Sequence, residues 1–377
     1  MAGLYVHIPF CKRRCRYCDF FSTTLLERRE EYVQAVLKEI EERRDEAGEP
    51  IRTIYIGGGT PSMLTTEQIH RILQTIGTDG KDEITMEANP GDLTAEYLQA
   101  IREAGIQRLS IGIQSFNDEL LELLGRRHNA TQAREAVQMA QVAGFDNISI
   151  DLMYALPTQT MELWETDIEQ ALQLGVQHIS SYGLMYEEGT PLTAMRDDNR
   201  LTPIDEDTEN AMYDLLCERL KQTGFVHYEV SNFALLGYEA KHNSSYWNGT
   251  PYIGVGAGAH SYTANTRSWN PDNLEAYIHG IMAHDLQRES EQLTETDLYN
   301  EYIMLGLRTC QGIAIDQTSI KPRFNLDTLS SRLRDGYGTI TRLCDEGLLR
   351  MTEDRRIIAT QSGLHVLNRI ITELMTE

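Results

Sequence analysis

Six short apolar runs recur along the first half of the chain, at residues 4–8, 53–56, 83–87, 108–113, 148–152 and 178–184, and segments of helix length lie between them. Residues 30–44 place Tyr32, Val33, Val36, Leu37 and Ile40 at helical spacing, and 65–76, 95–104, 130–143 and 161–174 behave in the same way. A strand that returns to its neighbour through a helix pairs in parallel, because only a long crossover brings the chain back in the same direction. The alternation therefore predicts an α/β fold of parallel strands with helices outside, as an open doubly wound sheet or a partial barrel. In either arrangement, function belongs on loops at the C-terminal ends of the strands.

After residue 187 the pattern turns irregular through 199–207, followed by a helix over 209–223, a short strand at 228–230 and a Gly-rich stretch at 249–258. This reads as a β-rich extension. From residue 293, helices are predicted at 297–308, 326–334 and 339–346, then strands at 348–351 and 356–359 around a charged turn, then a helix from Gln361. That order suggests a winged-helix-like domain. The expected division is 1–190, 191–292 and 293–377.

The chain carries 34 Lys plus Arg against 57 Asp plus Glu, a net charge of −23, which repels a phosphate backbone. The few cations of the tail are interleaved with acids, so its winged-helix shape does not bring a nucleic-acid partner with it. No run of 18 apolar residues occurs, and the first eight residues are too short and polar-ended for a secretory signal. A cytoplasmic location is expected, with peripheral membrane contact and oligomeric state left open.

Of six cysteines, Cys217, Cys310 and Cys344 stand apart, while Cys11, Cys15 and Cys18 form CxxxCxxC directly after the first strand. Three thiolates this close can surround one metal site. Structural zinc sites and most iron–sulfur clusters use four protein ligands, and no fourth Cys is near, so a coordination position stays vacant for chemistry. A zinc site completed by His7 or Asp19, or three reduced surface thiols, are alternatives at this level. Lys12, Arg13, Arg14 and Arg16 suit thiolates and an anionic cofactor, though a solvated loop accounts for them equally.

Other strand ends carry polar groups: Gly57-Gly58-Gly59-Thr60-Pro61, Glu87 before Ala88-Asn89-Pro90, Gln114 in Gly112-Ile113-Gln114-Ser115-Phe116, Arg126, and Asp151 opening Asp151-Leu152-Met153-Tyr154. The glycines let backbone N–H groups approach a ligand or simply form a tight turn. Each of the others is a ligand contact or an ordinary loop hydrogen-bonder.

CxxxCxxC closing the first strand of a β/α array resembles the radical S-adenosylmethionine superfamily. The longer string Tyr5-Val6-His7-Ile8-Pro9-Phe10-Cys11, with Tyr17-Cys18, is similar to the branch that contains oxygen-independent coproporphyrinogen III oxidase and the HemW haem chaperones. The resemblance extends over nearly the whole chain. It implies a partial (β/α)6 barrel and a 4Fe-4S cluster on Cys11, Cys15 and Cys18 whose open iron binds S-adenosylmethionine. It also implies nucleotide contacts from Tyr5, Tyr17, Gly58, Gly59, Thr60, Glu87, Gln114, Arg126 and Asp151.

Two departures set the chain apart from the oxidase. Phe20 stands where the oxidase has a further Cys, and only Ala2, Gly3 and Leu4 separate Met1 from the Tyr5 string, where the oxidase has a longer segment. His242-Asn243-Ser244-Ser245-Tyr246-Trp247 instead matches HNxxYW, which marks the haem chaperones. Imidazole is a common axial ligand of haem iron, and Tyr246 and Trp247 offer flat faces to a porphyrin. On the residues alone, His242 is equally a hydrogen-bonded loop residue beside core aromatics. Arg126, Arg127, Lys241 and Arg267 are cations available to haem propionates.

The resemblance thus implies a haem chaperone that holds the cluster, S-adenosylmethionine and haem, and hands haem to a respiratory apo-haemoprotein. The alternative is an oxygen-independent coproporphyrinogen III oxidase, a radical decarboxylase of porphyrin biosynthesis. Whether the chain is an enzyme stays open between them. A winged-helix regulator is the third class, disfavoured by the acidity.

Overall fold

The structure, a computed structural model, describes residues 1–315, 331–333 and 335–376. Six strands follow one another in parallel: β1 (Ala2–Ile8), β2 (Ile51–Gly58), β3 (Glu83–Ala88), β4 (Arg108–Gln114), β5 (Ile148–Tyr154) and β6 (His178–Gly183). Side chains alternate across such strands with period two. One set, including Val6, Ile54, Ile56, Ile84, Met86, Ile111 and Ile150, is fully buried against the helices in a single core. Burying each such side chain contributes about 1.5–3 kcal/mol.

The other set, Tyr5, Tyr55, Glu87, Ser110, Asp151, Ser180 and Tyr182, lines one cavity of about 200 Å³. Six strands share a cavity only if their sheet curls around it, so the core is a partial (β/α)6 barrel with a polar lumen. Helix starts are fixed locally: Thr65 with Gln68 and Asn129 with Gln132 form capping boxes that satisfy first-turn N–H groups.

The region from 191 to 292 is not a separate layer, because its strands extend the barrel sheet at both edges. β7 (Phe225–Glu229) and β8 (Asn232–Leu235) make a hairpin that pairs antiparallel to β6. At the other edge β9 (Tyr252–Val255) runs parallel to β1 and leads into β10 (His260–Thr263), β11 (Thr266–Trp269) and β12 (Glu289–Gln292). The result is a twelve-stranded sheet. Helices are as prominent here as strands, notably Glu206–Gln222, and HNxxYW itself lies on the helix Lys241–Trp247.

A buried carboxylate locks this edge to the barrel. Glu39 accepts hydrogen bonds from Arg43 at 2.9 Å, Tyr277 at 2.7 Å, Asn270 at 2.9 Å and the Gly256 N–H at 2.9 Å.

The C-terminal unit has its own core of Leu298, Ile303, Leu307, Ile340, Leu343, Ile357 and Ile370. A three-stranded antiparallel sheet, β13 (Ile313–Ala314), β15 (Arg356–Ala359) and β14 (Leu349–Met351), packs with the helices Glu295–Leu307, Tyr337–Asp345 and Leu367–Leu374. Of the helix predicted at 326–334, residues 331–333 are described and helical, and the rest lies outside the described residues. Among the described residues no helix is long and apolar enough to cross a membrane.

Candidate functional site

The cysteine loop leaves β1 at the C-terminal end of the barrel and is pinned on both flanks. The Cys11 N–H donates to the Thr23 carbonyl at 2.9 Å and the Thr23 N–H to the Pro9 carbonyl at 2.7 Å, while the ring of Phe10 is buried edge-on to Tyr32. On the far side Arg13 donates to the Gly125 and Arg126 carbonyls at 2.7 and 2.9 Å, and Lys12 pairs with Asp92 at 2.9 Å. A loop of eight residues held at so many points presents its thiols in a fixed arrangement.

Cys11 Sγ lies 3.4 Å from the Thr60 hydroxyl, and Arg126 donates to Cys15 Sγ at 3.4 Å. Burial pushes the Cys11 thiol up and that of Cys18 up to about 11, so a metal would have to drive their deprotonation. Among the described residues no three Cys, His, Asp or Glu side chains converge on a single-ion geometry. A cubane does not require it, since each thiolate would bind a different iron corner.

Beside the cysteines runs the glycine turn. Gly58 has φ 114°, and a Cβ there would stand 2.7 Å from the His7 ring, which is itself held by the Tyr5 hydroxyl at 2.9 Å and the Phe21 carbonyl at 3.0 Å. A Cβ on Gly59 would fall 2.8 Å from the Pro9 carbonyl carbon and 3.1 Å from Cys11 Sγ. Both positions therefore need glycine for close approach.

Glu87 locks the turn from below: it accepts from the Gly58 N–H at 3.0 Å and from the Tyr55 hydroxyl at 2.7 Å. Burial pushes its carboxyl up to about 7, with the Tyr55 hydrogen bond opposing the rise. Asp151 accepts from Ser110 at 3.2 Å and is likewise raised by burial. Gln114 sits at φ 76° where β4 slips register against β5, a bulge that re-aims the end of the strand. Arg126 donates to the Gly112 carbonyl and keeps a buried Nε without a partner. Tyr17, its hydroxyl raised by burial, lies within electrostatic reach of Arg126, Cys15 and Cys18.

The structure thus gathers Cys11, Cys15, Cys18, Tyr17, Gly58, Gly59, Thr60, Gln114 and Arg126 around the barrel mouth, and Tyr5, Glu87 and Asp151 in the lumen beneath. A thiol-lined rim over glycine turns, buried carboxylates and an orphaned Arg126 N–H fits an anionic cluster with a zwitterionic nucleotide. Sequence reasoning missed the rest of the lumen: Tyr55, Arg108, Ser110, His178, Ser180 and Tyr182. Their signal was present as polar residues at every second place in strands otherwise read as apolar.

HNxxYW is at the opposite end of the barrel from the cysteines. Glu83, the first residue of β3, accepts the Lys241 and His242 backbone N–H groups at 2.8 and 3.0 Å. The His242 ring is buried, with Nδ1 2.9 Å from the Thr53 hydroxyl and Nε2 2.9 Å from the Tyr246 hydroxyl. It stacks on Tyr55 at 5.4 Å, and Tyr55 in turn holds Glu87.

The motif's inner half therefore plugs the lumen and braces the glycine turn. The expectation of His242 as an axial haem ligand finds no geometric support here, because both ring nitrogens are already hydrogen-bonded. The four cations considered for propionates are also engaged: Arg126 as above, Arg127 with Asp92, Lys241 with the Asp82 carbonyl, and Arg267 with Glu291 and Glu301.

Residues 5–171 match the model of the Radical SAM superfamily. The haem chaperone HemW of Lactococcus lactis subsp. lactis is 35% identical over 379 residues, covering 99% of this chain and 97% of that protein. HemW of Bacillus subtilis is 36% identical over 373 residues, covering 97% of each. Among solved structures, coproporphyrinogen III oxidase (HemN) from Escherichia coli superposes with a TM-score of 0.81 at 23% identity, over 100% of this chain and 90% of that one. That likeness shows a shared fold. Similarity to the chaperones at over a third identity along essentially the full length goes further, and the chain belongs to the HemW family of the radical SAM superfamily.

Proposed function

We propose that the chain is a haem chaperone that holds a 4Fe-4S cluster on Cys11, Cys15 and Cys18, binds S-adenosylmethionine at the barrel mouth and passes haem to a respiratory haemoprotein. The observation that carries this reading is the three-thiol rim opening onto the Gly58, Glu87 and Asp151 pocket, in a chain whose full-length relatives are named haem chaperones. A bound cluster with an open iron would supply an electron and a binding point for the amino and carboxylate groups of the nucleotide.

The chain's own residues then do the positioning. Gly58 and Gly59 let the turn pack tightly on His7, Pro9 and Cys11, which sets its backbone beside the methionyl group. Ionised Glu87 and Asp151 accept from its amino N–H or from ribose hydroxyls, and the Arg126 guanidinium offers its charge to a carboxylate. Tyr5, Tyr17 and Gln114 complete the walls.

The oxidase reading rests on the fold shared with HemN. Phe20 argues against it: 65% exposed beside the cysteines, it stands where the oxidase pattern has a further Cys. Anaerobically reconstituted protein is expected to bind haem, and to form no protoporphyrinogen IX from coproporphyrinogen III with S-adenosylmethionine and reductant. Robust decarboxylation would replace the chaperone reading by the oxidase.

A further inference from the structure

The helix Lys241–Trp247 has two faces, and only one of them plugs the barrel. His242 and Tyr246, four residues apart, point inward together, so Ser244 and Trp247 fall on the other side. There they border a cleft of about 500 Å³ whose opposite wall is the C-terminal unit, with Tyr302, Leu305, Cys310 and Arg356. That volume is in the range of sites for cofactor-sized ligands.

Three features of the cleft point to a flat, partly anionic ligand that carries a metal able to take a thiolate. The Trp247 indole, its Nε1 enclosed without a hydrogen-bond partner among the described residues, gives the cleft a flat aromatic wall. Arg356 is fixed at the rim by donating to the Gln311 and Gly312 carbonyls at 2.5 and 3.0 Å, which holds a cation there. Cys310 is a free, exposed thiol on the same lining, far along the chain from the cysteine triad.

We propose that this cleft is the haem site, an inference that rests on the haem-chaperone reading: the porphyrin lies along Trp247, a propionate accepts from Arg356, and Cys310 sulfur ligates the iron. Ligation forms one Fe–S bond to ferric iron and releases the thiol proton to solvent, with no change of oxidation state. HNxxYW then serves both ends of the molecule. His242 braces Tyr55, Glu87 and the nucleotide turn, while Trp247 five residues on meets the cargo.

The test is titration of ferric haem into cluster-loaded wild type, Cys310→Ser, Trp247→Phe and His242→Ala, with absorption spectra, iron content and S-adenosylmethionine affinity read in parallel. Cys310→Ser is expected to change the haem spectrum and weaken binding on the order of tenfold, the loss of one good contact. Trp247→Phe, which replaces the broad indole face by a smaller ring, should weaken it several-fold, and both should retain cluster and nucleotide binding. His242→Ala should keep the haem spectrum and lose nucleotide affinity. Bound haem should also protect Cys310 from iodoacetamide, read by peptide mass.

If the wild type binds haem but both cleft variants match it and Cys310 alkylates at the same rate, the cleft is wrong and the chaperone reading survives. If the wild type binds no haem, that reading falls and the inference with it.

Discussion

Tyr55→Phe isolates the link between the barrel plug and the nucleotide turn. The ring stays, stacked between Tyr5 at 6.1 Å and His242 at 5.4 Å, so no cavity opens and the fold is expected to persist. What disappears is the 2.7 Å hydrogen bond to Glu87. A hydrogen bond to a charged group is worth about 1.5–3 kcal/mol, or roughly ten- to a hundredfold in affinity where the ionised form is the one that binds.

The change also has a pH signature. Burial already holds the Glu87 carboxyl at about 7, and the Tyr55 hydroxyl is what restrains it from rising further. In the wild type, donation of the ligand's N–H or O–H groups to ionised Glu87 should weaken as pH falls through about 7, where the carboxylate protonates. In Tyr55→Phe that midpoint should move upward, so the deficit is large at pH 7 and shrinks toward pH 9. Calorimetry with S-adenosylmethionine across this range, with iron content as control, measures both effects. Equal affinities and an unmoved midpoint would refute the argument that Tyr55 and Glu87 position the turn.

Replacing Cys11, Cys15 or Cys18 with Ser should remove most of the cluster, read as iron and sulfide after anaerobic purification, whereas Cys217→Ser or Cys344→Ser should not; full cluster in Cys15→Ser would sink the ligand assignment. Glu39→Gln removes the fully buried partner of Arg43, which keeps its pair with Glu46 at 2.6 Å, so the cost stays below the ~3–5 kcal/mol of an unpaired buried charge. Its thermal midpoint should drop by a few °C, and an unchanged midpoint would show that Tyr277, Asn270 and Gly256 hold the β9 edge without the charge.

The cysteine loop and its flanks were legible in the sequence because local constraints write themselves locally. CxxxCxxC, the glycine turn and the polar residues ending β3, β4 and β5 each lie beside a strand whose apolar period is plain. The lumen was not, although its period-two signal was there. Tyr55, Glu87, Ser110, Asp151, His178 and Ser180 alternate with buried aliphatics. A strand with polar residues on one face reads as half-exposed until curvature closes that face into a cavity.

The sequence by itself determined the β/α order, hence parallel pairing and a site at the strand C-terminal ends, because chain direction and crossover length leave little choice. Tertiary structure alone decided where the residues of HNxxYW sit. Sequence adjacency presents His242, Tyr246 and Trp247 as one group, but helical geometry parts them. His242 is spent on Thr53 and Tyr246 at the foot of the barrel, and Trp247 is left facing the C-terminal unit. Which partners occupy a ring nitrogen depends on residues some 190 positions away, as the Thr53 contact shows, and no local pattern encodes a contact that only folding brings within reach.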